Sequence, residues 1–141
     1  MKAIYIRKKI TSNFYLGKFY LMDLEEKEII LESDGEEPIY LSDSLERNVV
    51  IENGVYDLTK DFSPNYGNEL KIGGKNSDRP WITIRGYEAT PYDGSVRIEK
   101  IILNIVLEKM DSYPEGIPIY FYNEVSKEEV NGEGEEYNEQ Y

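Results

Sequence analysis

The sequence predicts a small α+β domain that is mostly β: a curled antiparallel sheet or barrel with one helix in its C-terminal half. Short runs rich in β-branched and aromatic residues recur along the chain, with turn-forming residues between them at intervals of about 8–12 residues. One later segment has a helical period instead. The 13 tyrosines are typical of strands, where the ring packs and the hydroxyl reaches water, although a tyrosine-lined binding face is the alternative.

The first two strands are predicted to form a hairpin. Residues 3–9 alternate loosely between apolar and polar side chains, and residues 14–22 are dense in aromatic and aliphatic ones. Thr-Ser-Asn at 11–13 predicts the turn between them, and Gly17 predicts a kink in the second strand.

The remaining strands are shorter. They are predicted over residues 28–32, 38–41, 48–52, 55–60, 69–72, 81–87 and 117–122. Turns are expected at Ser-Asp-Gly (33–35) and Asn-Gly (53–54), because Asp, Asn and Gly tolerate a positive φ. Loops are expected over residues 62–67, 75–79 and 89–95.

Residues 97–111 favour a helix. The apolar side chains there fall near a 3.6-residue period, and Glu and Lys occupy much of the rest. Ser95 is the expected N-cap, since its hydroxyl can accept from an unpaired backbone N–H. A strand is the alternative, because Ile and Val are abundant in this segment.

The 141 residues predict one globular, β-rich domain over 1–122 and a disordered acidic tail over 123–141. The tail carries seven Glu and one Lys, so its net charge is −6, half of the total of −12. Residues 1–22, in contrast, carry five cations and no acids. The overall charge predicts repulsion of DNA and anionic membranes, so we expect neither nucleic acid nor membrane as a partner. A basic protein partner fits better, and an acidic protein that imitates nucleic acid stays open.

The chain contains no Cys and no His, which excludes Cys- or His-dependent catalysis, disulfides and zinc–thiolate sites. We expect no cofactor and no metal, although an all-oxygen calcium site stays open. Charges near the N-terminus interrupt any signal-peptide core, and the longest apolar run, over residues 101–107, is too short to span a bilayer. A cytoplasmic protein is therefore expected.

The segment from 79 to 97 holds the candidate binding residues. They are Arg79, Trp81, Arg85, Tyr87, Tyr92, Asp93, Ser95 and Arg97. Three arginines among aromatic rings could hold a carboxylate or phosphate while a ring stacks on the ligand. The alternative is structural, with Trp81 in the core, Arg85 paired with an acid and Asp93 in a turn. We predict no catalytic residue.

Several segments, in matching order, resemble a small family of unknown function found in bacteria and their phages. They are Tyr-Leu-Gly-Lys-Phe-Tyr at 15–20, Ser-Leu-Glu-Arg at 44–47, Ile-Glu-Asn-Gly-Val-Tyr at 51–56, Phe-Ser-Pro-Asn-Tyr at 62–66, Ile-Thr-Ile-Arg-Gly at 82–86 and Asp-Gly-Ser at 93–95. That family has a His…Gly-Cys signature that looks like the one in L,D-transpeptidases, which crosslink peptidoglycan through a cysteine nucleophile. The resemblance places Arg85 where the family has His, and Ser95 where it has Cys. Arginine stays protonated and cannot act as a general base, so the resemblance implies the family's fold without its chemistry.

We therefore predict a non-catalytic interaction protein, a pseudoenzyme encoded by a phage or prophage, that binds a protein partner. Two alternatives stay open: a peptidoglycan- or glycan-binding module, and a carboxylate-based cell-wall enzyme in the inherited groove. The enzyme would need two carboxylates held across a cleft, which the sequence cannot nominate among its 28 acids.

Overall fold

The computed structural model describes residues 1–38, 40–41, 44–48, 52–64, 67–73, 82–87 and 96–124. The strands along these residues are β1 (Lys2–Ile10), β2 (Phe14–Asp23), β3 (Glu28–Pro38), β4 (Tyr40–Leu41), β5 (Ser44–Asn48), β6 (Gly54–Ser63), β7 (Gly67–Gly73), β8 (Ile82–Gly86), β9 (Val96–Ile98) and β10 (Ile117–Asn123). Helix α1 (Lys100–Lys109) leads into a 3-10 turn over Met110–Ser112.

Eight strands close into a barrel in the order β1-β10-β6-β7-β8-β9-β3-β2, and β4 and β5 form a separate two-stranded sheet. The predicted class, α+β and mostly β, is confirmed. The two architectures anticipated for it were a curled sheet and a barrel, and the structure has the barrel. Two of its strand pairs, β1 with β10 and β8 with β9, are parallel, whereas the sequence predicted an antiparallel arrangement.

The interior of the barrel is filled by the inward-facing side chains of alternate residues. In β1, the buried Ala3 and Tyr5 alternate with the half-buried Ile4 and Ile6. In β10, the buried Ile119 and Phe121 alternate with Tyr120 and Tyr122. Interior-facing residues of an eight-stranded barrel are just large enough to fill it. The alternation therefore gives the barrel a packed core and leaves every second side chain on its outer wall.

Helix α1 covers one mouth of the barrel. Its Leu103 and Val106, together with Met110 in the 3-10 turn, belong to the same buried cluster as the interior side chains. Because the barrel is closed, a helix can reach that interior only through a mouth, and α1 packs on β3, β7 and β8. Within the described part of the chain, no helix combines the length and apolar character needed to cross a bilayer.

The predicted turn at 33–35 is wrong, because β3 runs straight through it. Ser33 is buried and accepts a hydrogen bond from the Glu99 backbone N–H at 2.9 Å. At Gly35, a Cβ would lie 2.6 Å from the Tyr5 ring, so glycine is required there by close packing rather than by a turn. The tertiary contacts outweigh the local turn preference of Asp and Gly.

The helix predicted over 97–111 exists but is shorter. It spans Lys100–Lys109, with Glu99 as its N-cap instead of Ser95. Val96–Ile98 form strand β9, which pairs with β8 on one side and β3 on the other. These residues are needed to close the barrel, and that pairing outweighs the local helical period.

Strand boundaries also differ in places. The predicted loop at 62–67 is partly strand, since β6 continues to Ser63 and β7 begins at Gly67. The fifth strand, predicted at 48–52, is β5 at Ser44–Asn48. The loops predicted at 75–79 and 89–95 lie outside the described residues, as does the predicted acidic tail beyond Glu124.

Candidate functional site

Three of the eight predicted binding residues are described. Arg85 is the last residue of β8 before Gly86, Tyr87 follows that strand, and Arg97 lies in β9. The other predicted residues, Arg79, Trp81, Tyr92, Asp93 and Ser95, lie outside the described residues.

The structure brings Arg85 and Arg97 together on the outer face of the barrel. They are register partners in the parallel β8/β9 pair. Arg97 forms an ion pair with Glu36 of β3 through Nη2 and Oε2, and Arg85 Nη2 lies 3.7 Å from Glu69 Oε2 of β7. The result is a row of alternating pairs, Glu69–Arg85 and Arg97–Glu36, across four neighbouring strands.

This arginine row is largely withdrawn from solvent. Arg97 is 8% exposed, and its burial lowers the pKa of the guanidinium, which nevertheless stays protonated at physiological pH. Arg97 Nη1 also donates to the Tyr87 carbonyl oxygen at 3.4 Å. The Arg85–Glu69 contact fits the structural alternative, in which Arg85 pairs with an acid. Anion binding by the full set of eight residues stays a prediction.

A second buried charge pair, Arg7 and Glu37, lies inside the barrel and escaped sequence analysis. Arg7 Nε and Nη2 donate to the two Glu37 oxygens at 2.6 and 2.9 Å, and Nη1 donates to Asn53 Oδ1 at 2.9 Å. Burial alone would lower the Arg7 pKa, but the hydrogen bonds and charge of Glu37 raise it. The centroids of the Tyr15 and Phe121 rings each lie 5.4 Å from the guanidinium carbon of Arg7. With its donors turned to Glu37 and Asn53, Arg7 joins strands rather than presenting a charge to a ligand.

The outer wall of β2, β1, β10 and β6 carries an unusual set of side chains. We name it the tyrosine wall, and its residues are Ile4, Ile6, Tyr20, Val55, Tyr120 and Tyr122. They occupy the outward phase of their strands, since their neighbours Ala3, Tyr5, Ile119 and Phe121 are buried. No member of the set is charged.

The wall is continuous because its residues are in register across four strands. Tyr20 pairs with Ile4, Ile4 with Tyr120, and Tyr120 with Val55, which makes one uninterrupted row. The next row places Ile6 beside Tyr122.

The two tyrosines of β10 reinforce this surface. The Tyr120 and Tyr122 rings stack with their centroids 6.1 Å apart and an interplanar angle of 17°. Tyr122 is 49% exposed and Val55 is 46% exposed. These side chains therefore present a preformed apolar face to solvent, with hydroxyl groups at its surface.

Lysines border the tyrosine wall. Lys2 Nζ lies 4.8 Å from the centroid of the Tyr120 ring. Lys18, the register partner of Ile6, forms ion pairs with Asp34 at 2.7 Å and Glu32 at 3.4 Å. Lys8 lies 3.5 Å from Glu124. The wall is thus an apolar centre whose border carries lysines and the acids that pair with two of them.

A pocket of about 360 Å³ opens at the mouth that α1 covers. Lys60, Phe62 and Asn68 of the barrel strands line it, together with Asp111 and Tyr113 of the segment after α1. Phe62 and Asn68 are register partners in the β6/β7 pair. Phe62 is 66% exposed, the largest value among the aromatic side chains that the structure describes.

Among the described residues, no group of three or more carboxylates is placed to hold a metal ion. Comparisons of the chain with protein-family models, curated proteins and solved structures found no match. The candidate sites are accordingly defined by their geometry alone.

Proposed function

We propose that this chain is a non-catalytic interaction protein that binds a protein partner through the tyrosine wall, and that it is encoded by a phage or prophage, as the resemblance implies. The observation that carries the proposal is the row Tyr20–Ile4–Tyr120–Val55, which runs unbroken across four strands on the outside of the barrel. A contiguous apolar surface that reaches solvent and is bordered by polar residues is a feature of interaction sites.

The chemistry of the wall fits a protein partner. Tyrosine is enriched in protein interfaces and in the few residues that contribute most of the binding energy. Charged residues are depleted from the centre of such interfaces and occur at the border, as the lysines do here. The stacked Tyr120 and Tyr122 rings lose little conformational freedom on binding, because they already pack against each other.

The barrel also limits how a partner can bind. Each of its eight strands is hydrogen-bonded on both sides, so this sheet has no edge strand to which a partner could add. A partner that binds the barrel wall must therefore contact side chains, and the tyrosine wall offers apolar ones.

The border of the wall indicates the charge of the partner. Residues 1–22 supply five cations and no acids to a chain that is otherwise acidic. Lys8 and Lys18 already pair with acids of this chain, so Lys2 is the border cation that an acidic group of the partner would complement. The net charge of −12 favours a partner that is basic overall, as predicted, and opposes association of two copies.

A binding role also agrees with the composition. Without Cys or His, the chain lacks the thiolate nucleophile and the commonest general base. The two described arginines of the predicted site lie against acids, which fits a structural use of that charge.

The test compares proteins retained from a bacterial lysate by the immobilised wild-type chain and by Tyr120→Ala/Tyr122→Ala. We expect a specific partner to be lost in the double variant, with a cost of about 2 kcal/mol or more, roughly a thirtyfold weaker Kd. The control is Ile101→Ala, which removes an apolar side chain of α1 that is 72% exposed. Circular dichroism must show all the variants folded.

Carbodiimide crosslinking of the captured complex supplies a second readout. Crosslinks between Lys2 and acidic residues of the partner are expected, because that reagent joins amines to carboxylates in contact. A partner retained equally by the double variant, or crosslinked only through other surfaces, would refute the proposal. Sedimentation that depends on the concentration of the isolated chain would instead assign the wall to a second copy.

A further inference from the structure

We propose that the pocket at the covered mouth of the barrel binds a neutral saccharide, which stacks on Phe62. This site is separate from the tyrosine wall, and its test does not depend on the function proposed above.

The pocket results from the strand alternation that builds the core. Tyr56 and Leu58 of β6 face inward and are buried, so Lys60 and Phe62 continue the same inward phase towards the mouth. In β7, Leu70 is buried and Asn68 continues its phase. Beyond the edge of the core, the inward positions are thus no longer aliphatic but carry an ammonium group, an aromatic ring and an amide.

The buried Met110 also lines the pocket, together with Asp111 and Tyr113 of the segment after α1. Mouths of β-barrels are common positions for small-molecule sites, and about 360 Å³ falls within the usual range of about 300–1,000 Å³ for ligand pockets.

Phe62 distinguishes a ligand site from an ordinary surface hollow. Phe62 is 66% exposed, so most of its ring is available to a ligand, and covering it would remove that apolar surface from water. Its backbone is held in the β6/β7 pair, where Asn68 lies opposite in register and the Phe62 N–H donates to Asp61 Oδ1 at 2.8 Å. The C–H face of a pyranose ring is a flat apolar surface that matches such a ring.

The polar groups around Phe62 suit hydroxyl groups. Carboxylate and amide oxygens accept from sugar hydroxyls, and ammonium and amide N–H groups donate to them. Asn68, Asp111 and Lys60 supply all of these types around one pocket.

The charges favour a neutral ligand. Lys60 Nζ lies 2.6 Å from Asp111 Oδ1, which balances one cation against one acid. Asp61 also lines the pocket, and a hydrogen bond from Lys71, followed by one from the Phe62 N–H, lowers the pKa of its carboxyl and keeps it ionised. An anionic sugar would meet two carboxylates in this pocket and a lysine that one of them already engages.

The experiment titrates the ¹⁵N-labelled full chain with cellotetraose, maltotetraose and N,N′,N″,N‴-tetraacetylchitotetraose, with tetragalacturonate as the anionic counterpart. At least one neutral probe should shift the amides of Phe62, Asn68 and Asp111 at concentrations up to about 10 mM, the range of weak ligand binding. Tetragalacturonate should shift them less.

Phe62→Ala should abolish these shifts, whereas Phe62→Tyr, which keeps an aromatic ring, should retain them. Ile101→Ala removes another exposed apolar side chain outside the pocket and should bind as wild type. Tyr120→Ala/Tyr122→Ala should also bind the sugar normally, which separates this site from the tyrosine wall. The proposal is overturned if no neutral probe shifts the pocket amides, if tetragalacturonate binds best, or if folded Phe62→Ala binds as tightly as wild type.

Discussion

Arg7 and Glu37 form a bidentate ion pair inside the barrel, and each residue is 1% exposed. The two residues belong to β1 and β3, which both pair with β2. In β2, Gly17 lies opposite Arg7, so no side chain stands between the guanidinium and the carboxylate. The pair therefore joins two strands across a third.

Removing one partner of this pair should strongly destabilise the fold. Glu37→Gln leaves the Arg7 cation buried without its counter-charge, which typically costs about 3–5 kcal/mol. Urea unfolding followed by circular dichroism measures the change. The control, Glu124→Gln, breaks the exposed Lys8–Glu124 pair at 3.5 Å and should cost about 0–1 kcal/mol. Equal small losses in both variants would show that the buried pair contributes no more than a surface pair.

The double variant Arg7→Met/Glu37→Leu removes both charges of the same pair instead of one. Replacing both charges with apolar side chains removes the desolvation cost along with the attraction, so much of the stability lost in Glu37→Gln should return. A double variant as unstable as the single one would mean that the hydrogen bond from Arg7 to Asn53 matters more than the charge pair.

Tyr5 has a buried hydroxyl group for which no hydrogen-bond partner occurs among the described residues. An unsatisfied buried polar group costs about 1–3 kcal/mol, so Tyr5→Phe should raise the free energy of unfolding by about 1 kcal/mol at pH 7. Urea unfolding at neutral pH measures it. A loss of stability would instead show that the hydroxyl is hydrogen-bonded.

Tyr5 should also make the fold sensitive to alkali. Burial, and then the charge of Glu37, raise the pKa of Tyr5 well above its ordinary value of 10.0. The unfolded chain releases this proton near pH 10 while the folded chain retains it, so stability falls as the pH rises from 10 towards the folded-state pKa. Thermal melts between pH 9 and 12 should show a smaller decline for Tyr5→Phe than for wild type. Parallel declines would exclude Tyr5 as a source of the alkaline sensitivity.

Gly35 lies against the Tyr5 ring, where a Cβ would approach to 2.6 Å. Gly35→Ala should therefore destabilise the barrel by about 1–3 kcal/mol, the usual cost of overpacking. Gly73→Ala is the matched control, since a Cβ there meets no atom within 4 Å. The cost should shrink in the background of Tyr5→Leu, because the two positions are in contact and their effects should not add. Denaturant unfolding of the four variants tests both statements.

The sequence could predict much of the barrel but little of its assembly. The alternation in 117–122 is visible in the sequence, with Ile117, Ile119 and Phe121 inward and Tyr120 and Tyr122 outward. That Tyr120 then lies beside Ile4 depends on the parallel pairing of the first and last barrel strands, which no local pattern encodes. The position of the tyrosine wall could therefore not be predicted from the sequence, although a tyrosine-lined binding face was among the alternatives.

Buried charges were the other obstacle to prediction. Arg7 occupies the inward phase of β1 after Ala3 and Tyr5, which alternation could have revealed. An arginine followed by Lys8 and Lys9 is nevertheless expected on the surface. Its burial depends on Glu37, which lies thirty residues later in the chain and is not apparent from the local sequence. The arginines of the predicted site pose the same problem, since their acidic neighbours Glu36 and Glu69 come from other strands.

Arg97→Met distinguishes a structural role from a ligand-binding one at the predicted site. Strand β9 has three residues, and its pairing with β3 includes only Gly35 with Ile98 and Glu36 with Arg97. Loss of the Arg97–Glu36 ion pair should therefore weaken barrel closure at this seam, by about 1.5–3 kcal/mol for hydrogen bonds to a charged group. Amide hydrogen exchange should accelerate most in β9 and the adjoining part of β3, since local opening is governed by local contacts.

Lys18→Met breaks exposed ion pairs to the same strand, β3, and should leave exchange in β9 unchanged. Unaltered exchange in Arg97→Met would leave the guanidinium without a structural task and favour its predicted use in anion binding.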